Sequence, residues 1–112
     1  MTREDRESSR PTRRYVRRKL DMRIHIRTRL SDKSVVSGRC TTISEGGFGA
    51  ILTEELPVRD EIWVQFRGAN LTEDRQLRAE IRQCRGFQYG FQFVSPDPQA
   101  RALIRKLVAQ GI

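Results

Sequence analysis

Two short segments of the chain carry residue types that bind anions. The first is RRYVRR at residues 13–18, in which arginines recur four positions apart. Each guanidinium presents a planar fork of N–H donors that matches phosphate oxygens, so two such arginines can converge on one anion. The second is TISEGGFG at residues 42–49, where a serine precedes two glycines. A serine can cap a tight turn whose successive N–H groups point outward as an anion-binding nest. Each pattern is common alone, so its significance depends on the elements that would bring the two together.

Six short stretches between turn signals predict β-strands. In the first, Met22, Ile24 and Ile26 alternate with arginine and histidine, which is typical of a half-buried strand. The predicted strands cover about residues 22–26, 35–43, 48–52, 62–66, 77–81 and 87–93. The last is expected to present four aromatic residues on one face, namely Phe87, Tyr89, Phe91 and Phe93. Because the spacing is nearly even and no long helical connector intervenes, the sequence predicts a small all-β fold, a six-stranded antiparallel barrel.

The hydrophobic period changes near the C-terminus. Five apolar residues there fall on one stripe of an α-helix: Ala100, Leu103, Ile104, Leu107 and Val108. Asp97 is a suitable N-cap, Pro98 a suitable first helical residue and Gly111 a suitable stop. We therefore predict a helix over residues 97–110. Its apolar stripe is expected to cover the open end of the barrel in preference to binding a partner.

The positive charge is concentrated at the N-terminus. The chain has 112 residues and a formal net charge of +8, with 22 Lys and Arg against 14 Asp and Glu. From Arg10 to Lys19 there are six basic residues and no acid, and only Tyr15 and Val16 are sizeable apolar groups. Such a segment buries too little apolar surface to order itself. We therefore predict a flexible basic arm over residues 1–19 and a folded domain over residues 20–112.

Several classes of protein are disfavoured by the composition. No stretch approaches the roughly 18 apolar residues of a membrane span, and the N-terminus has no apolar segment of the secretory kind. Cys40 and Cys84 lack metal-type spacing, and we expect both to be reduced thiols on strands. With one histidine and no nucleophile–base set, we expect neither enzymatic activity, nor a cofactor, nor a metal site.

Taken in order, these features resemble the PilZ domain family, bacterial receptors for the second messenger cyclic di-GMP. The family carries R-x-x-x-R before its first strand, matched here by Arg13 and Arg17. It carries [D/N]-x-S-x-x-G after its second strand, matched here by Ser44 and Gly47. The sequence YGFQF at residues 89–93 resembles its late Y-G-h-x-F strand. The resemblance covers residues 13–108 and implies a split β-barrel with a C-terminal helix.

The resemblance also implies a set of ligand-binding residues. Arginine can pair with phosphate, hydrogen-bond guanine and stack on a purine. The residues expected to bind cyclic di-GMP are Arg13, Arg14, Arg17, Arg18, Thr42, Ser44, Gly46 and Gly47. Three overlapping pairs satisfy R-x-x-x-R: Arg10/Arg14, Arg13/Arg17 and Arg14/Arg18. Distance to the first strand favours Arg13/Arg17, with Arg14/Arg18 in reserve.

One residue departs from the family pattern. Thr42 stands where the family usually has Asp or Asn. A threonine hydroxyl can accept and donate, but it offers one oxygen and a shorter reach. Some affinity for the ligand would be lost unless arginine or backbone contacts compensate.

The resemblance implies a cytoplasmic, non-enzymatic receptor, a monomer or weak dimer. Ligand binding would order the basic arm and change the surface presented to a downstream protein. Two alternatives remain open. One is a PilZ-like adaptor that no longer binds the ligand, an alternative that the departure at Thr42 supports. The other is a nucleic-acid-binding barrel, which the net charge of +8 permits. The strands, however, lack the paired exposed aromatics of a single-strand stacking platform, so nucleic acid is the less favoured partner.

Overall fold

The computed structural model describes residues 16–28, 35–68 and 75–111, in which six antiparallel strands form a closed barrel. The strands are β1 (Arg18–Thr28), β2 (Val35–Ile43), β3 (Gly47–Leu52), β4 (Glu61–Arg67), β5 (Leu77–Arg85) and β6 (Gln88–Phe93). Their order around the barrel is β1-β2-β3-β6-β5-β4, and β4 pairs back onto β1. The predicted six-stranded antiparallel barrel is confirmed.

The barrel interior is filled by the alternate residues of each strand, because every second side chain of a strand points to the same face. Ile24, Ile62 and Ile81 are fully buried there. Phe48 of β3 stacks on Phe91 of β6, with ring centroids 4.4 Å apart. The packed interior makes the barrel wall rigid, so any site on its outer face rests on a fixed backbone.

One helix, α1 (Pro98–Gln110), packs its apolar stripe into the same core, as predicted. The buried residues of the stripe are Ala100, Leu103, Ile104 and Leu107. Asp97 is the N-cap: its Oδ1 accepts the N–H of Ala100 at 2.8 Å. This hydrogen bond, aided by Arg75 at 2.7 Å, holds the pKa of Asp97 below its usual range. Gly111 follows the helix as its C-cap.

The first strand begins earlier than the predicted domain boundary at residue 20. Arg18 and Lys19 already belong to β1, because they pair with Ile43 and Thr42 of β2. The folded region therefore takes in the last two residues assigned to the arm. Residues 1–15 of the predicted arm lie outside the described residues.

Phe87 does not belong to the last strand, which begins at Gln88. It lies instead in the hairpin turn between β5 and β6, and 55% of its surface is exposed. The turn forms here because Gly86 adopts a positive φ of 64°, a conformation that glycine accepts without steric cost. The prediction that Phe87 lines the same face as Tyr89 was wrong for this reason.

Candidate ligand-binding site

The two anion-binding segments meet on the outer face of the barrel. Arg17 lies immediately before β1, and its Nη1 is 3.5 Å from Oγ1 of Thr42 on β2. That distance is at the long end for a hydrogen bond, so the contact is weak. Because Arg17 is exposed, its guanidinium can exchange this contact for a ligand without leaving a buried charge unpaired.

Two adjoining cavities open on this face. The first, of about 310 Å³, extends from Thr42 towards Tyr89 and Arg85. The second, of about 360 Å³, extends from the turn at residues 44–47 towards Arg82. Three residues border both cavities: Arg17, Gln83 and Gly90. Arg17 is thus within reach of anything bound in either cavity.

The turn before β3 is held by the hydroxyl of Ser44. The Oγ of Ser44 accepts the N–H groups of Gly46 and Gly47, each at 3.3 Å, and also lies 3.3 Å from the carbonyl oxygen of Gly47. The N–H of Ser44 donates to the same carbonyl at 2.8 Å. The two glycine N–H groups therefore point at the serine and not outward. The predicted anion-binding nest was wrong, because a buried hydroxyl takes its partners from the turn itself.

Gly47 fastens this turn to the neighbouring strand. A Cβ at this position would overlap the backbone carbonyl oxygen of Phe91 on β6. The N–H of Phe93 donates to the carbonyl oxygen of Gly46 at 3.0 Å. Only glycine allows this close approach of two backbones, so the second cavity has a fixed wall on the side of the turn.

A row of cross-strand neighbours runs over four strands along the first cavity, and two of its members also border the second. It consists of Thr42 on β2, Gly49 on β3, Gly90 on β6 and Gln83 on β5. Neighbouring strands are about 4.8 Å apart, so the ends of the row are about 14 Å apart. The two central positions carry no side chain. The row is therefore a trough whose two central positions form what we call the glycine floor (Gly49 and Gly90). The Thr42 hydroxyl lies against Gly49, and the Gln83 side chain lies against Gly90.

Both ends of the row lie at irregularities of the sheet. The register of β2 against β3 shifts between Cys40 and Thr42, and that of β5 against β6 shifts between Ile81 and Gln83. An extra residue in a strand re-aims the side chains around it. Two successive side chains in each strand consequently lie outside the core: Thr41 and Thr42 in β2, Arg82 and Gln83 in β5.

The walls of the two cavities are basic. Arg82 donates from Nη1 to Gln92 at 2.6 Å and to Glu80 at 3.2 Å, which fixes its guanidinium beside the second cavity. Arg85 borders the first cavity, and Arg17 borders both. No acidic residue is among the described residues that line either cavity. An anion would therefore be attracted to this face.

Burial opposes the ionisation of two side chains near this face. Burial raises the pKa of Cys40 to about 12, so its thiol stays protonated. Burial also raises the pKa of Tyr89, whose hydroxyl accepts the N–H of Leu56 at 2.9 Å. Within residues 16–28, 35–68 and 75–111, no three His, Cys, Asp or Glu side chains are grouped so as to hold a metal ion. The groups on this face are suited to binding an anionic ligand.

The structure brings together five of the eight residues predicted to bind a ligand. Those that border the cavities are Arg17, Thr42, Ser44, Gly46 and Gly47. Arg18 does not, because successive residues of a strand point to opposite faces. Its Cβ lies beside Gly111 at the end of the helix. Arg13 and Arg14 lie outside the described residues.

Sequence reasoning missed three of the four residues that form the trough. Gly49 and Gly90 lie inside strands, where a glycine often marks a close approach of ligand or backbone, so this signal was present in the sequence. Gln83 had no such signal. Its position facing the cavities depends on the register shift in β5, which the hydrophobic alternation of residues 77–81 does not reveal.

Comparison with known families agrees with this architecture. A family model described as PilZ domain matches residues 11–110. The chain therefore belongs to the PilZ domain family, and the resemblance found in the sequence is confirmed. No curated protein matches the chain significantly.

The solved structures that share the fold include the following three. The PilZ domain of CeSA from a cellulose-synthesizing bacterium has a TM-score of 0.69 at 16% identity, covering 84% of this chain and 95% of that one. The PilZ domain with c-di-GMP of YcgR from Escherichia coli has a TM-score of 0.68 at 18% identity, covering 86% and 88%. The Bacillus subtilis inhibitor of motility, MotI/DgrA, has a TM-score of 0.66 at 13% identity, covering 98% of this chain and 52% of that one.

Among the described residues, no helix is long and apolar enough to cross a bilayer.

Proposed function

We propose that this PilZ domain is a cytoplasmic receptor for cyclic di-GMP with no enzymatic activity of its own. The observation that carries the proposal is the contact between Arg17 and Thr42, 3.5 Å apart. It places a cation of the first segment beside two cavities that the second segment borders. The similar structure of the YcgR PilZ domain contains c-di-GMP, which supports the same ligand class here.

The chemistry of the face suits this ligand. Cyclic di-GMP presents two phosphates and two flat guanines. Arg17 supplies a planar fork for a phosphate or a cation to stack on a purine, and Arg82 and Arg85 add positive charge to the walls. A flat base can lie on the glycine floor, where the two central residues project no side chain of their own. Ser44, Gly46 and Gly47 act by fixing the turn that bounds the second cavity.

The remaining predicted contacts come from the N-terminal arm. Arg13 precedes Arg17 by four residues, and Arg17 shares its face with Thr42, so we propose Arg13/Arg17 as the binding pair. Arg18 faces away from both cavities, which disfavours Arg14/Arg18. Arg14 and Arg18 then contribute general positive charge. Ligand bound between Arg13 and the barrel would hold the arm against the outer face and change the surface that a downstream protein contacts.

Calorimetric titration of the full chain with cyclic di-GMP tests the proposal, with cyclic di-AMP and GTP as control ligands. We expect saturable binding of cyclic di-GMP and much weaker binding of the controls. Hydrogen exchange at saturation is expected to slow at residues 13–18 and at residues 44–47 together. The ligand orders the arm, and by lying against the turn it makes opening of the turn's own hydrogen bonds rarer.

The alternatives predict different results. An adaptor that has lost ligand binding, for which Thr42 is the supporting observation, would give no heat of binding with any of the three nucleotides. A nucleic-acid-binding barrel would show protection confined to the basic arm, with a steep dependence on salt. Either result would contradict the proposed receptor.

A further inference from the structure

Gln83 lies across the glycine floor. A Cβ built on Gly90 would meet the Gln83 side chain, at 2.8 Å from Cγ and 3.1 Å from Nε2. The side chain of Gln83 therefore covers the Gly90 half of the glycine floor. It is exposed, so a change of rotamer that uncovers the floor breaks no packing.

The amide of Gln83 is also without a hydrogen-bond partner in the part of the chain that the structure describes. By contrast, its neighbour Arg82 is held by Gln92 and Glu80. Of the three residues that border both cavities, Arg17 is the cation, Gly90 has no side chain and Gln83 is the neutral polar group. A phosphate is attracted to the cation. The neutral amide, which offers both a donor and an acceptor, suits the edge of a neutral base.

We infer that Gln83 is a base-contacting residue of the cyclic di-GMP site. When a guanine lies flat on the glycine floor, the Gln83 side chain moves off Gly90 and its amide hydrogen-bonds the edge of that base. Guanine presents acceptor and donor groups along its edges, and an amide can satisfy one of each. The inference rests on the proposed function and adds to it a residue outside both sequence motifs.

The test substitutes Gln83→Leu, which keeps a side chain of similar size and removes both hydrogen-bonding groups. Gln76→Leu is the matched control, since Gln76 is exposed and lies outside both cavities. Calorimetric titration is expected to show an affinity for cyclic di-GMP about 5- to 10-fold weaker in Gln83→Leu, the range for one or two neutral hydrogen bonds. Gln76→Leu should bind as the wild type does. Thermal unfolding of both unliganded variants should match the wild type.

A second measurement reports contact directly. The side-chain NH₂ resonance of Gln83, assigned by its absence from the variant spectrum, should shift when cyclic di-GMP saturates the wild type. Wild-type affinity in Gln83→Leu, or an unmoved Gln83 resonance at saturation, overturns the inference and leaves the receptor function intact. Absence of binding by the wild-type protein overturns the receptor function itself, and the inference with it.

Discussion

Ser44 and Arg17 border the same cavity, but the structure supports their side chains in different ways. Ser44 is only 6% exposed, and its hydroxyl has three partners inside one turn. Arg17 is exposed, and within the described residues its guanidinium has one contact, at 3.5 Å. The turn half of the site is thus built into the fold, whereas the arginine half is attached to it weakly.

Because of this difference, we expect the turn to determine the stability of the fold and Arg17 to determine the affinity for the ligand. The turn is complete before a ligand arrives, so substitutions there are expected to lower the free energy of unfolding. Arg17 contributes little to the folded state, so its substitution is expected to lower affinity alone. A ligand that engages Arg17 must also restrict its side chain, at a cost in conformational entropy. Pre-formation of the turn reduces the part of the site that binding has to order.

The largest expected effect is at Gly47. Gly47→Ala forces a methyl group against the backbone of Phe91, which cannot move without disturbing β6. We expect the free energy of unfolding to fall by about 3 kcal/mol, measured by urea denaturation. Gly49→Ala is the control. Its methyl would meet a side chain, the hydroxyl of Thr42, which can change rotamer, whereas the methyl of Gly47→Ala meets backbone. If Gly47→Ala is as stable as Gly49→Ala, the turn is not fixed as the structure indicates.

Arg17 provides the opposite case. Arg17→Ala is expected to weaken cyclic di-GMP binding by about 1.5–3 kcal/mol, the range for hydrogen bonds to charged groups, with an unchanged melting temperature. Arg23→Ala removes the same charge from an exposed position of β1 outside both cavities and should bind almost normally. Equal weakening in the two variants would mean that net charge, and not the position of Arg17, determines affinity.

The sequence predicted the elements better than it predicted the details of the face they form. Alternation at Met22, Ile24 and Ile26 and the helical stripe from Ala100 to Leu107 depend on burial, which is the strongest signal in a sequence. The direction of the Gly46 and Gly47 N–H groups depends on the backbone of one turn and on the Ser44 hydroxyl that accepts from them. Such a local choice leaves no trace in the hydrophobic pattern.

The trough illustrates the same limit at the level of the sheet. Gly49 and Gly90 become neighbours only through the pairing of β3 with β6, two strands that are far apart in sequence. Gln83 joins them because the register of β5 shifts by one residue. A one-residue shift exchanges the inward and outward faces of a strand. The motifs in the sequence therefore predicted where the site is, but they could not predict all the residues that form it.

Removal of the Ser44 hydroxyl tests the turn more mildly than Gly47→Ala does. Ser44→Ala leaves the N–H groups of Gly46 and Gly47 without their acceptor, and we expect a loss of about 1–2 kcal/mol of unfolding free energy. Ser37→Ala, an exposed serine of β2, controls for the substitution. Urea denaturation measures both. A Ser44→Ala protein of full stability but impaired affinity would show that the hydroxyl contacts the ligand directly.

The smallest effect is expected at Thr42, where the two halves of the site meet. An asparagine reaches further than threonine and offers both a carbonyl and an amide, so Thr42→Asn should tighten cyclic di-GMP binding about 2- to 10-fold. Asparagine is a cleaner test than aspartate, which would bring a negative charge towards an anionic ligand. Thr53→Asn, exposed and outside both cavities, should leave affinity unchanged.

Because Thr42 also contacts Arg17, Thr42→Val should weaken binding if that contact positions the guanidinium. Calorimetry of the three variants separates the possibilities: unchanged or weaker binding by Thr42→Asn means that threonine already fills the role of the family's Asp or Asn.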